Sequence, residues 1–173
     1  MYVVSNRTKE IIYDEYCLHG TIRYIATVLN SYILDDLKRN EEVVLVPVLF
    51  GAITLFYEIY SNLLSYNHEL SKVLNIELVR ISSYEDSKTP VKEPVIFYFK
   101  DPQIVFKNKS VYIIDDLVDT GKTLLALKND LEKYCRKIRT CVVINKKDCH
   151  IEQFDPDIAG LTYCGKDFLD FIH

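Results

Sequence analysis

Apolar and polar positions along the chain follow two rhythms that take turns. In residues 21–39, Ile22, Ile25, Leu29, Tyr32, Ile33 and Leu37 recur at helical spacing, and Thr21 stands where it can cap the helix. Residues 42–49 (EVVLVPVL) form a short continuous apolar run, as expected of a strand buried on both faces. Gly51 breaks the run, and residues 52–64 return to a helical pattern. Residues 76–84 (IELVRISSY) alternate as a strand, residues 85–93 (EDSKTPVKE) read as a mobile polar loop, and residues 94–99 return as a strand. Further strands are predicted over 111–114, 138–144 and 158–163, with a helix over 124–134 between the first two. Residues 1–18 are mixed and predict a leading arm or helix. Strands alternating with helices imply an α/β fold, here one domain over residues 1–173 with a mainly parallel central sheet flanked by helices. Ligands of such sheets bind beyond the carboxyl ends of the strands, so candidate chemistry belongs where strands end.

Composition narrows the classes of partner. The 173 residues carry 21 Lys and Arg against 25 Asp and Glu, a formal net charge of −4. That balance predicts no broad basic face and no nucleic-acid partner, while a small anionic ligand held at a local site stays compatible with it. The most apolar stretch, residues 47–56, is about half the ~20 residues needed to span a membrane. The first sixteen residues mix charges without an apolar run, which predicts no signal peptide. Five cysteines without CxxC spacing predict reduced thiols in a cytoplasmic protein, not a disulfide frame or a zinc site.

The most informative stretch is residues 111–123, VYIIDDLVDTGKT. A buried strand is expected to end in two adjacent carboxylates, Asp115 and Asp116, with Asp119 following. Thr120, Gly121, Lys122 and Thr123 then lead into a helix. A glycine that lets backbone approach closely, successive outward N–H groups, two hydroxyls and a helix N-terminus make a phosphate cradle. Gly-Lys-Thr also suggests a P-loop, but that spacing requires glycine at position 116, where Asp116 stands. The acids suit hydroxyl groups, a divalent metal or a developing positive charge. A sugar phosphate with vicinal hydroxyls and a metal-bound pyrophosphate meets all of these demands.

IIDDLVDTGKT resembles the phosphoribosyl-pyrophosphate signature of the type I phosphoribosyltransferases, nearest to the hypoxanthine-guanine and xanthine-guanine members. The resemblance extends from about Val43 to the C-terminus. VPVLFGA (residues 46–52) resembles the family's pyrophosphate loop, departing from it at Phe50, where relatives usually carry Lys or Arg, and at Ala52, often Gly. RISSY (residues 80–84) resembles the Ser-Tyr dipeptide and closing loop of the purine members. VINKK (residues 143–147) places Lys146 where relatives donate to the 6-oxo group. Tyr163 and Cys164, followed by Leu169, Asp170 and Phe171, match the stacking aromatic, the backbone base-binder and the later acid. A rival register makes Phe168 the stacking ring and Asp167 the acid. The chain ends at His173, before a later segment in which many relatives carry a pyrophosphate-binding Arg.

The resemblance implies the type I phosphoribosyltransferase fold with a small C-terminal base-binding hood. It implies transfer of 5-phosphoribosyl from phosphoribosyl pyrophosphate to a 6-oxopurine, with Mg²⁺ as cofactor and a homo-oligomer as assembly. Asp115 and Asp116 are then expected at the ribose hydroxyls and Mg²⁺, Asp119 at the purine N7 as base, and Thr120, Gly121, Lys122 and Thr123 at the 5′-phosphate. Phe50, Gly51 and Ala52 are expected to line the pyrophosphate, and Ser83 and Tyr84 to close over it. Lys146, Tyr163 and Cys164 are expected to receive the base, and Asp170 to lie near a second hydrated Mg²⁺. Two alternatives stay open: an enzyme of the same family for adenine, orotate or uracil, and a non-catalytic phosphoribosyl-pyrophosphate-binding regulator.

Overall fold

The computed structural model describes every residue except 50, 86–88, 151–153, 166–168 and 173, and describes residues 83–85, 89–93 and 170–172 by their backbone. The chain opens with two short strands, β1 (Tyr2–Ser5) and β2 (Ile11–Tyr13), where the sequence predicts an arm or helix. Helix α1 (Glu15–Lys38) starts earlier than expected because Asp14, not Thr21, caps it: the Asp14 side chain accepts from the Cys17 N–H at 2.8 Å. Thr21 lies inside the helix, its hydroxyl turned back to the Cys17 carbonyl at 2.8 Å.

Strand β3 (Val43–Leu49) is followed by α2 (Ile53–Tyr66), the single turn α3 (Leu70–Val73), β4 (Leu74–Ile76) and β5 (Val79–Glu85). Pro47 in the middle of β3 would ordinarily interrupt a central strand. It stands where β3 changes neighbours: β4 pairs with Val43 to Leu45, and β5 with Val48 and Leu49. Strand β6 (Thr89–Tyr98) pairs antiparallel with β5, reaching back to Thr89 opposite Glu85, so the expected mobile loop of residues 85–93 largely gives way to a hairpin. A turn of helix, α4 (Pro102–Phe106), leads to β7 (Ser110–Val118), α5 (Lys122–Leu131), β8 (Lys137–Asn145), β9 (Ile158–Thr162) and β10 (Leu169–Ile172).

The main sheet runs β6-β5-β3-β7-β8-β9, with β4 also on β3, and every pairing but β5 with β6 is parallel. Alternation along its strands feeds two cores. Val43, Leu45, Tyr112 and Val143 pack with Ile22, Ile25, Leu29, Ile59 and Leu63 of α1 and α2. Val44, Val46, Ile113 and Val142 pack with Leu124 and Leu127 of α5, and with Phe106 and Phe154. A second sheet, β10-β1-β2, is antiparallel. The expected C-terminal hood is therefore built from both ends of the chain, with β1 central. The alternation of residues 2–5 was too short to separate from an arm. The Tyr13 hydroxyl ties this sheet to the main one, donating to the Thr162 carbonyl at 3.1 Å.

Candidate active site

The parallel strands all deliver their carboxyl ends to one edge, and the signature residues collect there. Strand β7 continues through Asp115, Asp116 and Leu117 to Val118, so the acid pair lies within the strand and not beyond its end. Adjacent strand residues point to opposite faces, yet the two carboxylates bend back onto the backbone. Asp115 Oδ1 accepts from the Asp116 N–H at 3.0 Å, and Asp116 Oδ1 accepts from the Leu117 N–H at 2.8 Å. Each carboxylate keeps a second oxygen.

Burial, then the neighbouring Asp116 carboxylate, pushes the Asp115 carboxyl well above the ordinary carboxylate range. Burial pushes Asp116 up as well. These acids pair with no Lys or Arg among the described residues. An oxygen-only, cation-free pair of this kind suits a hard divalent ion such as Mg²⁺, which is usually held through few carboxylates with substrate and water completing the shell. The described residues contain no group of three or more His, Cys, Asp or Glu placed to hold a metal by themselves.

Gly51, in the turn between β3 and α2, lies against this pair. A Cβ there would overlap the Asp116 carboxylate, so only glycine lets the turn pass so close. Ala52 is buried and its N–H donates to the Val48 carbonyl at 3.3 Å, which removes it from the outward donors expected of this loop. Phe50 lies outside the described residues, as do the side chains of Ser83, Tyr84 and Asp170. The Ser83 and Tyr84 backbone belongs to β5, beside a register shift between Ser82 and Tyr84, and Asp170 pairs with Val4 in the smaller sheet.

Beyond Val118 the chain turns through Asp119, Thr120 and Gly121 into α5. Gly121 has φ +82°, the left-handed region, and its carbonyl accepts the Leu125 N–H at 2.9 Å. A Cβ at Gly121 would stand 3.0 Å from the Cβ of Phe154, so the segment after β8 closes on the turn from behind. Asp115, Asp119, Thr120, Gly121 and Thr123 line a cavity of about 140 Å³. Lys122 opens α5 with its side chain exposed.

Lys146, just past the end of β8, meets one of the cavity's lining residues, Asp119. It is only 2% exposed, although a strand-end lysine is ordinarily solvated, and its Nζ donates to Asp119 Oδ1 at 2.8 Å. The Lys146 N–H is held by the Val118 carbonyl at 3.0 Å, which fixes the lysine beside the acid loop. Tyr163 follows β9, half-buried, its N–H on the Asn145 carbonyl at 2.8 Å. Cys164 is exposed next to it. Phe168 and Asp167, the rival register, lie outside the described residues.

Three residues near the site escape sequence reading. Phe154 backs Gly121, and its spacing carries no signal. Asn145 is 3% exposed, donates to Asp155 at 3.3 Å, and has an Oδ1 without a partner among the described residues. Cys149 donates to the Gly165 carbonyl at 3.5 Å; burial first, and then a hydrogen bond to Asp119, push its thiol pKa up, against the pull of Lys146.

The fold and site define a parallel α/β protein with an acid pair and a glycine turn at the carboxyl edge of its sheet. The model of the phosphoribosyl transferase domain matches residues 18–164, and the chain belongs to that family. It is 28% identical over 151 residues to human phosphoribosyltransferase domain-containing protein 1, across 84% of this chain and 66% of that protein. It is 23% identical over 163 residues to the mouse hypoxanthine-guanine phosphoribosyltransferase, across 92% of this chain and 73% of that one. The chain thus spans just under two thirds of the human relative's length. The fold superposes on a hypoxanthine phosphoribosyl transferase of Trypanosoma cruzi with a TM-score of 0.72 at 19% identity, covering 92% of this chain and 79% of that one. It is the type I phosphoribosyltransferase fold.

Proposed function

We propose that residues 1–173 act as one unit that transfers 5-phosphoribosyl from phosphoribosyl pyrophosphate to a 6-oxopurine, releasing pyrophosphate and a nucleoside monophosphate. The observation that carries this reading is the ion pair of the buried Lys146 with the half-exposed Asp119, a lining residue of the glycine-turn cavity. A charged donor is held against a carboxylate that lines this space, the two groups that recognition of a 6-oxo group and a ring N–H requires. The names of the mouse and Trypanosoma cruzi proteins point the same way.

Thr120, Gly121, Lys122 and Thr123 hold the 5′-phosphate, Lys122 through its backbone N–H. Asp115 and Asp116 take the ribose hydroxyls with their outward oxygens and would hold Mg²⁺ directly or through water. Bound Mg²⁺ supplies charge neutralisation of the leaving pyrophosphate. Gly51, with Phe50 and Ala52, lines the pyrophosphate, and Ser83 and Tyr84 close over it. Asp119 keeps Oδ1 on Lys146 and offers Oδ2 to N7, taking its proton as the anomeric carbon gains positive charge. Tyr163 stacks on the base, Cys164 offers its backbone, and Asp170 would lie near a second hydrated Mg²⁺. On this reading the protein is a cytoplasmic homo-oligomer.

The test incubates the protein with phosphoribosyl pyrophosphate, Mg²⁺ and a panel of bases, and measures pyrophosphate release. Release with hypoxanthine or guanine supports the reading. Release only with adenine, orotate or uracil reassigns the base, and none with any base makes the chain a non-catalytic binder.

A further inference from the structure

The chain carries five free cysteines, and Cys149 and Cys164 belong to two segments that touch at the side of the site assigned to the base. Any effect of that pair on turnover rests on the proposed purine reaction. A 3₁₀ turn over Lys147–Cys149 follows β8, its Cys149 N–H held by the Lys146 carbonyl at 3.0 Å. The turn aims the Cys149 thiol across to the segment after β9, where it donates to the Gly165 carbonyl at 3.5 Å. Gly165 directly follows Cys164, which is exposed, while Cys149 is half-buried. Of the remaining cysteines, Cys141 and Cys135 lie elsewhere, and Cys17 lies with Cys164 near Tyr13. Cys141 is buried in the core within β8. Cys135 lines a cavity with Arg136 and Lys137, at the opposite end of the sheet. Cys17 is exposed in the first turn of α1.

We propose that Cys149 and Cys164 form an oxidation-responsive thiol pair that closes to a disulfide under peroxide and shuts the base side of the site. Disulfide closure requires Cα atoms within about 7 Å. The Cys149 thiol already touches the carbonyl of the residue after Cys164, so a shift of the segment after β9 brings the Cα atoms into that range and rotation of the two side chains brings the sulfurs together. The exposed Cys164 reacts first. It loses its proton to water, its thiolate forms an S–O bond to a peroxide oxygen, the O–O bond breaks, and the departing hydroxide is protonated to water. Cys164 is then a sulfenic acid, oxidised by the two electrons the peroxide has gained. Cys149 passes its proton to the Asp119 carboxylate beside it, and its thiolate attacks the Cys164 sulfur. The S–S bond forms, the S–O bond breaks, and hydroxide leaves to become the second water. In all, two thiols and one hydrogen peroxide become one disulfide and two waters. The bond draws Cys149 off Asp119 and pins the segment meant to receive the base.

Trypsin provides a direct readout, because cleavage after Lys147 and Lys166 leaves both cysteines in one peptide without an internal Lys or Arg. The reduced full chain is treated with hydrogen peroxide, alkylated, digested without reductant and weighed by mass spectrometry. The expected result is that this peptide loses two hydrogens and accepts no alkyl group, reversibly with dithiothreitol. C149S is expected to stop at a Cys164 sulfenic acid that dimedone traps, and C164S to leave Cys149 alkylatable. Two alkylatable thiols after peroxide, or a cross-link from Cys164 to the peptide holding Cys17, would overturn the pair. Pyrophosphate release is expected to fall about tenfold or more on closure and to return on reduction; closure with unchanged release would overturn the link to the site. A reduced chain that releases none fails the proposed reaction instead, while the peptide masses still decide the pair.

Discussion

Two sets of acids gather along strand β7, one at each end, and they are treated in opposite ways. At its start, Tyr112 donates to Asp36 at 2.6 Å and the Ser110 hydroxyl donates to Glu41 at 2.5 Å. Lys137 bridges both acids, 2.6 Å from Asp36 and 3.6 Å from Glu41, and Arg139 reaches Asp36 at 3.4 Å while stacking on Tyr32. Burial pushes the Asp36 carboxyl up, but hydrogen bonds from Lys137 and Tyr112 with the two cations outweigh it and hold it below the usual range. The Ser110 hydroxyl lowers Glu41 against its burial. At the other end, Asp115 and Asp116 are pushed up, with backbone N–H groups and each other for company and no cation among the described residues. Buried acids with matched cations hold a fold together. Buried acids left without them leave room for a cation and hydroxyls that a ligand brings.

Emptying the two ends in turn exposes the contrast most clearly. Asp36→Ala strands Lys137, Arg139 and the Tyr112 hydroxyl, and is expected to cost about 3–5 kcal/mol. Urea unfolding checks this, and a loss within experimental scatter would dissolve the contrast. Asp119→Asn keeps the acceptor for Lys146 but removes the base, so turnover is expected to fall about 100-fold or more. Phosphoribosyl-pyrophosphate affinity should change far less, and equal losses in both would deny Asp119 its role.

Smaller effects are expected elsewhere. Gly121→Ala must hold alanine in the left-handed region against Phe154, at a cost of about 1–2 kcal/mol. A loosened cradle should raise the KM for phosphoribosyl pyrophosphate, read by steady-state kinetics. The pH dependence of stability should have two limbs. Asp115 and Asp116 have raised pKa values, so the folded state takes up protons first as pH falls from neutral, and stability rises. Asp36 and Glu41 have lowered values, so below about pH 4 the unfolded state takes up protons first and stability falls. Thermal melts across pH should show the rise vanish in Asp115→Asn and the fall shrink in Asp36→Asn.

The main sheet was largely legible because buried parallel strands leave unbroken apolar runs, as in residues 42–49. The acid-and-glycine segment of β7 was legible because its chemistry is local in sequence. What needed the fold were contacts across long separations. Strand β1 finds its partner in β10, at the far end of the chain, and no local pattern announces that. Lys146 was expected on resemblance alone; its burial and its ion pair follow from β8 lying beside β7. Phe154 behind Gly121 and Cys149 beside Asp119 come from loops, where spacing has no period to read.

The most direct test is thermal unfolding with and without Mg²⁺ and phosphoribosyl pyrophosphate, on the native chain and on Asp115→Asn. The native chain is expected to gain stability, about 2.7 kcal/mol with ligand at a hundred times its Kd. Asp115→Asn should start about 1 kcal/mol more stable, relieved of a buried charge, and should respond little to the ligand. A variant that starts less stable and gains as much as the native chain would contradict the claim that the unpaired acids exist for the ligand.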